Sequence, residues 1–197
     1  MLCSAGGASR AAIALGQGNK EEASRIMSNC FSMLLIFSAI ITVAYLASAE
    51  PLLRLFGASD NTLPFGLQYM NIYSCGTVFV LLVMGLNPYL TAQGFSNMAM
   101  VTTVLGAVIN IILDPILIFG WFGLPALGIA GAALATVIGQ WAAAILAMGL
   151  NRKFNTGLEL KRKHAKPDGY VVKMILNVGI PSVIMVGIGS IMNFSMN

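Results

Sequence analysis

Charged side chains are scarce in this sequence. Asp, Glu, Lys and Arg make up 9% of its 197 residues, whereas 57% are apolar and the mean hydropathy is +0.83. A soluble domain carries about a quarter charged residues, so this chain has too few to cover a water-facing surface. Whole stretches contain no charge at all: residues 26–49, 61–113, 115–151 and 174–197.

The length of these runs predicts membrane-spanning helices. Roughly 20 apolar residues cross a bilayer as a helix, and backbone groups inside hydrocarbon must bond to one another, as only helices and closed barrels allow. Barrel strands alternate in hydropathy, and these runs do not. We therefore predict an all-α integral membrane protein, a polytopic helix bundle with spans near residues 24–49, 67–92, 98–119 and 128–150 and a last apolar segment at 174–197.

Cysteine is also rare, with three residues at Cys3, Cys30 and Cys75. They lie far apart within or beside apolar segments, and no pair has the spacing of metal ligands. An odd number of cysteines in predicted helices argues against a disulfide framework. We interpret all three as small packing residues.

The basic residues lie outside the spans and predict the orientation of the chain. Because Lys and Arg concentrate in cytoplasmic loops, both basic regions are expected on the cytoplasmic side, separated by four spans. We expect contacts with anionic lipid headgroups there, no binding of nucleic acid, and no role for His164. Three basic residues precede the first span, seven follow the fourth and one lies on the opposite side: Arg10, Lys20 and Arg25; Arg152, Lys153, Lys161, Arg162, Lys163, Lys166 and Lys173; and Arg54.

Proline and glycine predict interruptions of the helices. Asn87 and Pro88 predict a kink or a helix end within the second span, because proline removes a backbone donor. Residues 50–61, which begin with Glu50 and Pro51, predict a loop on the outer side.

Small residues recur in the fourth span. Gly131, Ala135 and Gly139 follow at every fourth position along one helix face, a spacing that lets two helices approach closely. This pattern predicts tight helix packing and says nothing about chemistry.

Asp114 is the one acidic residue embedded in an apolar run. A carboxylate at membrane depth costs roughly 2.5–3.5 kcal/mol on insertion scales and usually faces a cavity or a partner. Asn110 lies one turn earlier on the same helix face, and Pro115 leaves the carbonyl of Ile111 without its helical partner. Such an oxygen-rich cluster suits protons or small hard cations. Asp114 is also close to the outer end of its span, where Asp-Pro is an ordinary helix-end dipeptide, so interfacial capping stays open.

Other polar residues at membrane depth have less specific interpretations. Thr136 is expected to bond its own helix backbone. Helix–helix hydrogen bonding and a substrate path explain the polar face of the last segment equally well; it consists of Ser190, Asn193 and Asn197.

Several motifs together resemble the MATE (multidrug and toxic compound extrusion) transporters. The run NIILDPILIFG at 110–120, followed by LGIAGAALAT at 127–136, resembles the fifth and sixth helices of that family. GGASRAAIALGQGN at 6–19 resembles the end of the second helix and its inner loop. LTAQG at 90–94 resembles the end of the fourth helix, and GIPS at 179–182 the start of the seventh.

The resemblance implies twelve helices in two six-helix lobes and export of cationic amphipathic compounds by alternating access, driven by inward H⁺ or Na⁺ flow. It places Asn110 and Asp114, with Thr136 beside them, in the cation site of the N-terminal lobe. Residues 1–150 would be lobe helices from the end of the second through the sixth, 151–173 a basic cytoplasmic loop between lobes, and 174–197 the truncated first helix of the C-terminal lobe.

We interpret the chain as an internal fragment of a cation-coupled antiporter. We expect the full-length protein to be a monomer in the plasma membrane, here a bacterial inner membrane. It would take small cationic organic substrates, contact membrane lipids and need no cofactor beyond the coupling ion. A lipid-linked precursor flippase is the first alternative, although no basic residue lies inside a predicted span beyond Arg25 at the edge of the first. A membrane phosphotransferase would need clustered acids or histidines, and a non-transporting membrane scaffold would not require Asp114.

Overall fold

The computed structural model describes residues 3–154 and 168–195, and these ranges contain helices and turns without a β-strand. The predicted all-α fold is confirmed. A π-helical turn at Ser4–Ala8 opens the described chain, and a short 3₁₀ turn, Trp121–Gly123, precedes the seventh helix. Within these two ranges the α-helices are α1 (Ser9–Gly16), α2 (Lys20–Ala47), α3 (Ala49–Leu55), α4 (Leu63–Ser74), α5 (Thr77–Ala92), α6 (Ser96–Phe119), α7 (Ile129–Phe154) and α8 (Gly169–Ser195).

Four of these helices, α2, α6, α7 and α8, are long and apolar enough to cross a membrane. The bent pair α4 and α5 adds a fifth crossing if it counts as one span. The described part of the chain is thus multi-pass, and its spans coincide with the five predicted apolar segments.

The interruption of the second span lies elsewhere than predicted. Helix α5 continues through Pro88, whereas the chain breaks at Cys75 and Gly76, where α4 and α5 meet at 50°. A helix end at Asn87 and Pro88 was therefore wrong, because proline deletes a single backbone bond, which neighbouring groups can replace in a membrane helix. A side chain at Gly76 would meet the end of the Gln140 side chain of α7, so α7 lies close against this break.

The predicted outer loop is partly helical. Residues Ala49–Leu55 form α3, with Pro51 in its first turn, where a missing N–H costs no helical bond. Arg54 donates to Glu50 (3.1 Å) and Asp60 (3.0 Å). Both hydrogen bonds raise the pKa of the Arg54 guanidinium, the one to Asp60 more than the one to Glu50.

The ends of the predicted basic loop are helical as well. Helix α7 continues to Phe154 and α8 begins at Gly169, so Arg152, Lys153 and Lys173 lie on helices. Residues 155–167, which include His164, lie outside the described residues, and so do Asn197 and the side chains of Ser190 and Asn193. The division of the chain at 150 and 173 stays a prediction.

The chain forms two compact units. The first combines residues 1–34, 84–99 and 147–197, and the second combines residues 35–83 and 100–146. In the first unit, a side chain at Gly6 would clash with the carbonyl of Ile175 in α8, and one at Gly7 with Cys30 and Tyr89. The backbone of the π-helical turn therefore lies directly against α8 on one side and against α2 and α5 on the other.

The three cysteines differ in their burial. Cys3 and Cys30 are buried, and the thiol of Cys30 lies 3.5 Å from the Cys3 carbonyl, as expected for packing residues. The interpretation was wrong for Cys75, which is exposed at the α4–α5 break.

In the second unit, α6 and α7 approach at glycine. A Cβ at Gly139 would lie 2.6 Å from the carbonyl oxygen of Gly106, and one at Gly131 would clash with the carbonyl of Leu117. Ala135, between them on the same face, is fully buried. The tight packing predicted from the small-residue spacing is confirmed.

We expect Gly139→Ala to destabilise the protein, because the added methyl group meets backbone that cannot rotate away. Overpacking of this kind costs about 1–3 kcal/mol. Gly149→Ala, in the same helix, is the matched control: nothing lies within 4 Å of its added Cβ, and alanine gains up to about 1 kcal/mol in helix propensity. Thermal unfolding in detergent measures both variants. Equal unfolding temperatures would contradict the α6–α7 contact.

Candidate functional site

Asp114 lies within α6, one turn after Asn110, and both side chains are half-buried. Pro115 follows it inside the helix and leaves the Ile111 carbonyl without its usual donor. The helix does not end at Asp114 but continues to Phe119. Asp114 is therefore not a helix-end residue, which removes one basis of the capping interpretation.

The three residues predicted for the site are brought together. The Asn110 amide nitrogen (Nδ2) donates to the Asp114 carboxylate at 3.3 Å and lies 3.2 Å from the Thr136 hydroxyl of α7. The Thr136 hydroxyl in turn donates to the Ala132 carbonyl at 2.9 Å. The predicted bond of Thr136 to its own helix is confirmed, and the same oxygen is free to accept from Asn110.

Glycine makes this cluster possible. Gly139 follows Thr136 by about one turn, and a Cβ at Gly139 would already lie 3.5 Å from the Cβ of Asn110. Gly106 precedes Asn110 by about one turn and touches Gly139. Because neither position carries a side chain, the two helices come close enough for Asn110 to reach across.

Asp114 has no cationic partner within residues 3–154 and 168–195. The ion pairs found there join Arg25 to Asp168 and Arg54 to Glu50 and Asp60. The hydrogen bond that Asp114 receives comes from the uncharged amide of Asn110. A half-buried carboxylate whose partner in the described residues is a neutral donor leaves its negative charge available to a small cation.

The donor set also limits what the cluster can bind. In the described residues, no three His, Cys, Asp or Glu side chains lie close enough to hold a metal ion. The cluster offers a carboxylate, an amide oxygen and a hydroxyl, which are hard oxygen ligands. That chemistry fits protons, water and small hard cations.

Sequence reasoning missed Gln140, one turn after Thr136 on α7. Its Oε1 atom is buried without a hydrogen-bond partner in the described part of the chain, and it lies against Gly76 at the α4–α5 break. The signal was available, since Gln140 is a polar residue in a charge-free run at helical spacing from Thr136. What the sequence does not show is the break that faces it.

Sequence reasoning also missed the contacts of Asp168, which was assigned only to the basic loop. Asp168 pairs with Arg25 of α2, and its backbone N–H donates to the Asn29 side chain at 2.6 Å. No local pattern could reveal this contact, because about 140 residues separate the partners.

Comparison with known proteins adds independent findings. The family model MatE matches residues 1–116. The probable multidrug resistance protein YoeA of Bacillus subtilis is 29% identical over 174 residues, which cover 87% of this chain and 38% of that protein. The FAD transporter of Shewanella oneidensis is 36% identical over 137 residues, which cover 68% and 30% respectively. A solved structure of the outward-facing conformation of a multidrug resistance MATE family transporter is 28% identical, with a TM-score of 0.80 over 93% of this chain and 40% of that one.

The described helices define a multi-pass, all-helical membrane protein. With the family model matching more than half of its residues, the chain belongs to the MATE family. The predicted family is confirmed, and its similar proteins include a FAD transporter and a solved MATE family transporter. The chain spans less than half the length of these curated relatives.

We expect the Asn110–Thr136 hydrogen bond to appear as an energetic coupling between the two residues. In a double-mutant cycle of Asn110→Ala and Thr136→Val, the coupling should be about 0.6 kcal/mol, the average for such bonds between membrane helices. Thermal unfolding of the four proteins measures it. Thr136→Ser keeps the hydroxyl and should unfold close to wild type. Strictly additive effects would show that the two side chains do not interact.

Proposed function

We propose that this chain is part of a cation-coupled antiporter that exports cationic amphipathic compounds by alternating access. The observation that carries the proposal is the hydrogen bonding of Asn110 to both Asp114 and Thr136. Through Asn110, these bonds connect Asp114, the one carboxylate of α6, to the neighbouring helix α7. A change in the charge of Asp114 would then alter the contact between α6 and α7.

Charge supports a cationic substrate. Between residues 61 and 151, Asp114 is the only charged residue and no Lys or Arg occurs. An ionised carboxylate in low-dielectric surroundings attracts cations, and a proton or Na⁺ bound there removes that attraction. Binding of the coupling ion and of a cationic compound would thus oppose each other, as antiport requires.

The relatives support export and widen the choice of substrate. One is a probable multidrug resistance protein and another a FAD transporter. FAD carries negative charge, whereas residues 61–151 contain one carboxylate and no Lys or Arg. Export of an anionic flavin nucleotide is the second candidate, and its support is the similarity of this chain to the FAD transporter. The lipid-precursor flippase, the scaffold and the phosphotransferase have no comparable support.

The proposed setting follows from the same reasoning. The basic regions at residues 10–25 and 151–173 face the cytoplasm of a bacterial cell, and the protein lies in the plasma membrane. It works as a monomer with small cationic compounds and membrane lipids as its partners. The coupling ion is H⁺ or Na⁺, without a further cofactor.

We expect Asp114→Asn in the complete gene product to abolish export, because the amide cannot exchange charge with the coupling ion. Expression in an efflux-deficient bacterial host with a cationic dye such as ethidium measures growth inhibition and dye accumulation. Asp60→Asn is the control for the same chemical change, since that side chain is 87% exposed in a loop. Full resistance from Asp114→Asn at normal expression would remove the cation-site assignment.

We expect purified protein in liposomes to move dye only when an H⁺ or Na⁺ gradient is imposed, with no requirement for ATP. An ionophore that collapses the gradient of the coupling ion should stop transport. Collapsing the gradient of the other ion, Na⁺ or H⁺, should have no effect. Accumulation of FAD in place of dye would favour the second candidate. Dye transport without either gradient would contradict antiport.

A further inference from the structure

Asp168 joins the start of α8 to α2 within the first unit. Its carboxylate is bound by the Arg25 guanidinium and by the backbone N–H of Tyr170 at 3.0 Å. Its own backbone N–H donates to the Asn29 side chain at 2.6 Å. Asn29 follows Arg25 by one turn and bonds to its carbonyl at 2.9 Å. One residue therefore caps α8 and is held by two side chains on a single face of α2.

The charges in this contact are complementary and accessible. The hydrogen bond from Arg25, and to a smaller extent the one from the Tyr170 N–H, lower the pKa of the Asp168 carboxyl. The carboxyl is therefore ionised at neutral pH. The side chains of Arg25 and Asp168 are 43% and 33% exposed. Ion pairs with that much access to water are weak. Such a pair selects one arrangement of the helices but can be broken and re-formed.

A second contact anchors the same end of α8. Val171, Ile175 and Gly179 lie one turn apart along a buried face, and a side chain at Gly6 would clash with the Ile175 carbonyl. Beyond this region, residues 183–189 of α8 are exposed. Among the described side chains of α8, the buried ones that pack against the first unit lie between residues 171 and 179.

We propose that Arg25, Asn29 and Asp168 form a clasp that holds the cytoplasmic end of α8 against α2 and opens during each transport cycle. This inference rests on the alternating-access function and on the orientation proposed above. Alternating access requires helices to separate at one face of the membrane while they close at the other. The clasp lies at the face assigned to the cytoplasm, and its partners stay charged whether it is open or closed. Closing it would favour the conformation that is sealed to the cytoplasm.

A reversible crosslink tests whether the clasp must open. Arg25→Cys and Asp168→Cys are combined in complete protein whose native cysteines are replaced, Cys3→Ala, Cys30→Ala and Cys75→Ser. A short bis-methanethiosulfonate reagent then joins the two new thiols. We expect dye transport to fall at least tenfold after crosslinking and to return after reduction. Either single-cysteine variant, treated in the same way, should keep its activity.

The outcomes separate the two proposals. Background protein that moves no dye at all would remove the antiport function, and the clasp with it. Protein that transports dye and keeps more than half of its rate after crosslinking would overturn the clasp alone, because the contact would then be permanent.

Charge variants test the clasp without crosslinking. Val171→Cys, on the buried face of α8, reports opening through its labelling by an impermeant maleimide in inside-out vesicles. Arg25→Glu repels Asp168 and should raise the labelling rate about tenfold, a bias of about 1.4 kcal/mol. Adding Asp168→Asn removes the repulsion and keeps a capping side chain, so labelling should slow again. Arg10→Glu makes the same charge change at an exposed position of α1. Labelling as fast as with Arg25→Glu would overturn the clasp.

Discussion

The contact between Gly106 and Gly139 is the constraint on which the candidate site depends. Any side chain at Gly139 would meet the carbonyl of Gly106 at 2.6 Å, so α6 and α7 approach backbone to backbone. That approach lets the short side chain of Asn110 reach Thr136 while it still bonds Asp114. The residues with the relevant chemistry are therefore positioned by residues that have no side-chain chemistry at all.

Irregular backbone occurs near the polar groups of the second unit. Pro115 frees a carbonyl next to Asp114, and the break at Gly76 faces the buried oxygen of Gln140. In hydrocarbon an unbonded backbone group costs several kcal/mol, so such irregularities persist only where protein or a polar cavity surrounds them. Their position beside Asp114 and Gln140 fits a part of the bundle that handles polar ligands.

The two units hold their helices together by different physical means. In the second unit, glycine packing joins α6 to α7, and separating them would lose dispersion contacts over a whole helix face. In the first unit, a partly exposed ion pair adds to a small apolar contact at the start of α8. An exposed ion pair contributes little free energy. The glycine packing of the second unit is therefore durable, whereas the attachment of α8 in the first unit can be reversed.

The sequence by itself determined the membrane class and the five apolar segments, because hydropathy and charge act locally and must satisfy the bilayer residue by residue. The family was indicated by the resemblance of its motifs. The sequence also determined Asn110 and Asp114 as a pair, since helical spacing fixes neighbours one turn apart. The resemblance implied that Thr136 lies beside them, but only the tertiary structure decided that Asn110 bonds to it. The structure likewise decided that the second span breaks at Gly76 rather than Pro88, and that Asp168 binds α2. Each of these depends on which helix lies alongside, and contacts between residues distant in the chain leave no periodic pattern in the sequence.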